Sequence, residues 1–241
     1  MMKMTLPNKI VRWGKKLFAL TTVLLFGLSL NAQNSTDYGA MFTAEYQHLF
    51  NDKWDFVFKE DLRFDNDVSQ YSRWKNTLIV GYKFRRNALE GLKLSVAIDH
   101  INKYTESHVY RNRGRLSFNV IYKIPYRNWS FAFRTRYQMM GRDESTGYYN
   151  FAIQHVWRNK LTVDYHVKGS RWRYTAWGEL FSEINDDRKL FLESIMLALN
   201  VEYRLTRYQY LLLYARDYRD VYIDSDQVRT IYFGLGWKYK R

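Results

Sequence analysis

The 241-residue chain has no cysteine, only two prolines and only twelve glycines. Without cysteine there is no disulfide framework, no Cys-based zinc or iron–sulfur site, no lipidated cysteine and no thiol nucleophile. A membrane-spanning helix is also missing. The one long apolar run, 17–30, is too short to cross a hydrocarbon core of roughly 30 Å. That run follows a basic stretch holding Lys3, Lys9, Arg12, Lys15 and Lys16 and precedes Leu30-Asn31-Ala32, so residues 1–32 read as an export signal cleaved after Ala32. Its removal takes away five cations and no anions, and the remainder, 33–241, stays basic. Hydrophobic residues at 46% are ordinary for a folded protein, which excludes both a disordered chain and a bundle of membrane helices.

Past Gln33 no stretch keeps a helical period. Strict alternation takes its place. From Tyr38 the even positions read Tyr38, Ala40, Phe42, Ala44, Tyr46 and His48, with Thr43, Glu45 and Gln47 between them. After Asn51-Asp52-Lys53 it resumes as Trp54, Phe56 and Phe58, opposite Asp55, Lys59 and Asp61. One face is apolar and the other charged, the signature of a half-buried strand. The same pattern predicts strands at 71–84, 92–104, 110–124, 129–140, 148–168, 173–184, 190–204, 208–218 and 228–239.

Alternation alone does not say whether the apolar face meets a soluble core or lipid. Strands in soluble proteins usually run about 5 to 6 residues, and these are mostly twice that, enough to cross a membrane with tilt. Aromatics such as Trp54, Tyr82, Tyr104, Tyr110, Trp129 and Trp237 cluster near strand ends, where interfacial girdles belong. The expected fold is therefore all-β, a transmembrane antiparallel β-barrel of 10 to 12 strands. Eleven segments are counted, but bacterial single-chain barrels favour even numbers, so 12 is expected ahead of 10. Connections near 51–53, 85–91, 125–128, 169–172 and 205–207 are mostly short and belong at the periplasmic end; those near 65–70, 105–109, 141–147, 185–189 and 219–227 are mostly longer.

The last strand, Phe233-Gly234-Leu235-Gly236-Trp237-Lys238-Tyr239, resembles the C-terminal signal that presents outer-membrane barrels to their assembly machinery, although Lys240 and Arg241 follow its last aromatic. The mature layout also resembles the family catalogued as domain of unknown function 2490, outer-membrane barrels common in Bacteroidetes. Leu49-Phe50-Asn51-Asp52-Lys53-Trp54, Asp61-Leu62-Arg63-Phe64, Phe133-Arg134-Thr135-Arg136-Tyr137 and Arg158-Asn159-Lys160-Leu161-Thr162-Val163 carry the likeness. It implies an outer-membrane barrel and no known activity.

No catalytic, metal or cofactor motif emerges. His48, His100 and His155 fall on the apolar phase, His108 in a loop and His166 on the polar phase, without metal-ligand spacing or a Gly-rich phosphate loop. Cations alternate with aromatics and form no basic patch, so nucleic acid is not an expected partner.

Antiparallel neighbours share constant residue sums across their turns, which lets facing residues be read directly. Matching Phe64 to Ser72, Phe84 to Leu92 and Tyr104 to Tyr110 sets Asp61 opposite Lys75 and Asp99 opposite Arg115. Across 169–172, Arg158 falls opposite Glu183. Such pairs explain much of the lumen as a charged ladder. Two features stand apart from it. Glu60, Asn76 and His100 come side by side on the apolar phase, near Asn102 and Asn112, which points to lipopolysaccharide head groups or a partner protein, or else to a bulge that turns Glu60 inward or a position already in the head-group zone. Arg63, Arg73, Lys103 and Arg111 align at one height beneath the longer loops. They read either as an anion-attracting rim or as a row offset by Asp65, Asp67 and Glu106.

The sequence thus predicts an exported outer-membrane barrel, a narrow channel or a structural and surface component. The alternatives are a barrel enzyme acting on envelope lipid or peptide, and a binding protein for an anionic ligand or partner barrel. Expected partners are outer-membrane lipid, lipopolysaccharide, the assembly machinery and a partner membrane protein. N-terminal sequencing of the membrane-extracted protein should begin at Gln33, and recovery as a soluble periplasmic monomer would contradict this reading.

Overall fold

The computed structural model describes residues 35–85, 89–104, 109–143, 151–184, 190–221 and 228–241. The candidate export signal 1–32, His108, Glu106 and the predicted strand start at 148–150 lie outside them. Within 35–241 the alternating segments form eleven strands: β1 (Ser35–Leu49), β2 (Trp54–Asp65), β3 (Gln70–Lys83), β4 (Leu92–Tyr104), β5 (Tyr110–Tyr126), β6 (Trp129–Asp143), β7 (Phe151–His166), β8 (Trp172–Ile184), β9 (Leu190–Arg204), β10 (Gln209–Asp220) and β11 (Val228–Lys240). Consecutive strands pair antiparallel, and β1 closes the barrel by pairing parallel with β11 from Ser35↔Val228 to Gln47↔Lys240.

The preference for an even count is corrected here. With eleven strands the first and last run in the same direction, so a fully hydrogen-bonded ring requires one parallel pair. Such a pair bonds slightly less well per residue than an antiparallel one but leaves no open edge. At its lower end the seam continues into the terminus: Leu49 N–H donates to the Arg241 carbonyl and Arg241 N–H to the Gln47 carbonyl.

Each strand turns its odd or even set outward as a block. Outward-facing Ile98, Leu161 and Phe233 leave 57–58% of their surface uncovered, and Phe42, Leu78, Val96, Phe133 and Leu213 continue the same apolar belt. An exposed apolar surface this continuous is matched only by a lipid environment. Aromatic contacts edge the belt at both ends. At the short-turn end Trp54 meets Tyr82, Trp129 meets Tyr165, Trp172 meets Tyr203 and Tyr46 stacks on Tyr239. At the other end Phe64, Tyr71, Tyr110 and Tyr104 touch in series.

Inside, small residues make room for long ones. Ala97, Ser117, Ser194 and Ala198 are buried among charged neighbours. At the seam the exchange is tighter. Inward-facing Tyr214 of β10 lies over Gly234 of β11, and Tyr232 of β11 lies over Gly39 of β1, each Gly being the register partner of its Tyr. Met41, Tyr214 and Tyr232 form a buried cluster there.

A Cβ on Gly234 would fall within the Tyr214 ring, whereas one on Gly114 meets nothing within 4 Å. Gly234→Ala is therefore expected to lower stability by about 1–3 kcal/mol, the usual cost of overpacking. Gly114→Ala should leave stability unchanged or slightly raised. Urea unfolding of the detergent-solubilised barrel, followed by heat-modifiable migration, checks the difference.

Candidate functional site

The inward phase is a set of carboxylates, most of them held by cations from neighbouring strands. On the β2–β4 side Asp61, almost fully buried, accepts Lys59 at 3.0 Å and Lys75 at 2.8 Å. Lys59 reaches it because i and i+2 share a strand face, and Lys75 because it is the register partner. Asp99 takes Arg115 Nε at 2.6 Å and the Thr77 hydroxyl at 2.5 Å. Nearer the short turns Asp55 takes Lys93 at 2.7 Å and Lys83 at 3.6 Å. The sequence-predicted facing of Asp61 with Lys75 and of Asp99 with Arg115 is thus realised.

Two register expectations are corrected. Phe64 faces Tyr71 and not Ser72, because a bulge between Arg63 and Phe64 shifts the pairing above that point and leaves Ser72 unpaired. Arg158 faces Phe181, and Glu183 faces Val156. The reason is the β7–β8 connection. His166 pairs with Arg173 and a tight turn with Gly169 at φ +74° links them, so the pairing is offset from that of a turn centred on 169–172. Arg158 finds its carboxylate diagonally instead. Its Nε donates to Glu179 at 2.8 Å and its Nη1 to Gln138 at 2.8 Å, while Arg134 donates to the same Glu179 oxygen at 2.5 Å.

Higher in the lumen the balance changes. The register sets Arg63 against Arg73, Arg73 against Lys103 and Lys103 against Arg111. Among the described residues Arg63, Arg73 and Lys103 form no ion pair. Arg63 instead lies over the Tyr232 ring at 5.1 Å, and the Nε atoms of Arg63 and Arg73 are buried without a hydrogen-bond partner. The carboxylates expected to offset the row are only partly in place. Asp65 tops β2 on the lumen side, but Asp67 is exposed in the loop and Glu106 lies outside the described residues. That loop is held by Asp37, whose carboxylate accepts the backbone N–H groups of Asn66 and Asp67 at 3.2 and 3.0 Å.

Sequence reasoning missed a second cationic group deeper in the barrel. Trp177 of β8 is flanked by Lys160 at 3.5 Å and Arg216 at 5.7 Å, and Arg216 also lies over Tyr214 at 4.7 Å. Cation–π contact of this kind adds to the electrostatic partners of Lys160, whose register partner is Glu179. The alternation marked each of these residues as inward-facing. It gave no sign that they meet, because residue sums do not describe diagonal neighbours.

On the outward phase Glu60, Asn76 and His100 are consecutive register partners, and the Asn102 amide donates to Asn112 at 2.9 Å. The bulge that could turn Glu60 inward lies beyond Arg63, so Glu60 keeps the outward phase. The other outward histidines are packed among aromatics: His48 contacts Tyr46 and Phe50, and His155 Nδ1 shares a 2.7 Å hydrogen bond with the Tyr137 hydroxyl.

Closed hydrogen bonding, an apolar exterior and a charged interior define a transmembrane β-barrel. No protein-family model and no curated protein matches the chain. Among solved structures it is similar to the NanC porin, at 13% identity with a TM-score of 0.55, covering 85% of this chain and 99% of that one. The β domain of the Bordetella autotransporter BrkA aligns at 11% identity and a TM-score of 0.37 over 80% of this chain and 86% of that one. The first likeness supports a porin-type closed barrel as the fold.

Glu179 serves two buried arginines, while Glu183 has no cation opposite it in the register. Glu179→Gln is expected to cost about 2–3 kcal/mol, since it leaves charged donors unpaired in the wall. Glu183→Gln should cost well under about 1 kcal/mol, the level of an ordinary exposed carboxylate. Parallel urea titrations in detergent decide between the two.

Proposed function

We propose that the protein is an integral outer-membrane barrel that acts as a narrow, anion-preferring channel. The single observation that carries this reading is the row Arg63, Arg73, Lys103 and Arg111. Like charges directly opposite one another weaken a sheet, and the lumen-facing carboxylates lower in the β2–β5 wall, Asp55, Asp61 and Asp99, are each paired. Arg63, Arg73 and Lys103, which form no ion pair among the described residues, are therefore better suited to drawing anions at the mouth than to holding the wall together. Rings of Arg and Lys serve anion and phosphate pores, because low-dielectric walls focus their field. Placement in the outer membrane rests on the apolar belt, the export-type N-terminal sequence and the porin-type fold. By that reading the longer loops, and the basic row below them, face outward. Membership of the domain of unknown function 2490 family is part of the same proposal and rests on the short motifs.

The Met41, Tyr214 and Tyr232 cluster inside the seam favours a second reading, a sealed barrel with a structural or surface role. Lipid or a partner protein at Glu60, Asn76 and His100 fits either.

Planar-bilayer recordings of the purified protein separate the readings. A persistent conductance with an anion-selective reversal potential in a salt gradient is expected. Arg73→Glu with Lys103→Glu should move that potential toward cations. An unchanged ion preference removes the basic row from the mechanism, and a barrel without conductance supports the sealed form.

A further inference from the structure

The outward phase of β10 and β11 carries an ion cluster that the lumen does not share. Arg229 reads Asp217 bidentately, Nε to Oδ1 and Nη2 to Oδ2, both at 3.0 Å. Arg219 donates to the same carboxylate through Nη2 at 2.7 Å and Nε at 3.3 Å. Register fixes the direction these residues face. Asp217 pairs with Leu197 and Ile231, and Arg219 with Ile195 and Arg229, whereas the intervening Tyr218 meets the lumen residue Phe181. The cluster thus has Arg219 and Arg229 sharing the Asp217 carboxylate. Arg219 is its more exposed member, with Nη1 free of any partner among the described residues.

Directly below, toward mid-membrane, the same strands open an apolar groove of about 500 Å³ lined by Phe42, Leu199, Val201, Leu213, Ala215 and Phe233. Ala215 faces Leu199 and Phe233, so a small side chain forms the floor between larger ones. The volume lies within the range of ligand pockets, about 300 to 1,000 Å³. Four residues of strand, about 13 Å, separate Arg219 from Ala215. Cations at an interfacial height above an apolar groove match an amphiphile with an anionic head and an acyl tail.

We propose that this face, across β9, β10, β11 and β1, binds a phosphorylated glycolipid of the lipid A type, its phosphate on Arg219 and one acyl chain along Ala215. The choice of an outer-leaflet lipid rests on the outer-membrane reading above, because the cluster lies at the end with the longer loops. A charge-assisted bond from guanidinium to phosphate is the strong, directional contact that such a site needs.

The test uses protein purified in mild detergent, stripped of lipid and mixed with diphosphorylated lipid A, with bound lipid counted by native mass spectrometry. Arg219→Gln and, independently, Ala215→Trp should each weaken retention about tenfold, and dephosphorylated lipid A should bind no better than the Arg219→Gln variant binds the intact lipid. Arg219→Lys should retain most of the binding. Heat-modifiable migration identifies folded variants, and either substitution alone suffices if the other does not fold. Wild-type retention by both variants, equal binding of the dephosphorylated lipid, or a dimer of the barrel occupying this face in place of lipid overturns the proposal. Fractionation of the unmodified protein reports separately on outer-membrane placement. A barrel found there that holds no lipid A loses this site and keeps the location.

Discussion

The parallel pairing of β1 with β11 is the constraint on which the rest of the barrel depends. In lipid every backbone N–H and C=O must find a partner inside the protein, so an open edge is not tolerated. Ten antiparallel pairs come from turns that hold neighbouring strands together. The eleventh joins residues nearly two hundred apart in sequence and has no turn to set its register. The packing of Tyr232 over Gly39 supplies what a turn would, since an in-phase slip of two residues would bring Asp37 or Met41, each with a Cβ, under the ring. Met41 completes the contact from β1 and ties the first strand to β10 across β11.

Closure in turn fixes the heights at which lumen charges meet. Tilt and register bring Lys75 to Asp61 and Arg115 to Asp99 in adjacent strands, and they bring Arg158 to Glu179 diagonally from the next strand and Arg134 from two strands away. Aromatic faces add to these contacts, Trp177 lying against Lys160 beside its register partner Glu179 and Tyr232 against Arg63. The wall is thus braced by charge lower down and progressively less compensated toward the longer loops.

Much of this was legible in the sequence because a strand's period of 2 is unforgiving. The long phase-coherent runs of β2, β4 and β9 place strands to within a residue or two, and turn sums predicted the facing of Arg63, Arg73, Lys103 and Arg111 that the register reproduces. Three things were not legible, each for a physical reason. The parallel seam has no connecting turn, so no sum describes it and an even count looked necessary. The bulge at Arg63/Phe64 changes the sum partway along a pair without any marker such as Gly or Pro. The β7–β8 offset depends on a turn whose Gly169 allows a left-handed residue, and a one-step error in placing it moves Arg158 from Phe181 to Glu183.

Both faces of the barrel carry cations at the long-loop end, but they are treated differently, and the two solvents account for it. Arg63, Arg73 and Lys103 point into the charged lumen and not into lipid, so the cost of the row is mutual repulsion together with the buried, unpartnered Nε atoms of Arg63 and Arg73. Arg219 and Arg229 point outward, where a lone cation costs up to about 2–4 kcal/mol at mid-membrane and less toward the interface. Asp217, placed on the same phase two residues from Arg219 and diagonal to Arg229, lowers that cost by binding both. Arg219, the more exposed of the two, still presents part of its guanidinium outward, where hydrocarbon cannot solvate it. The remaining stabilisation has to come from the interface itself, from water or from an anionic head group, and the apolar groove immediately below decides which of these the surface is shaped to hold.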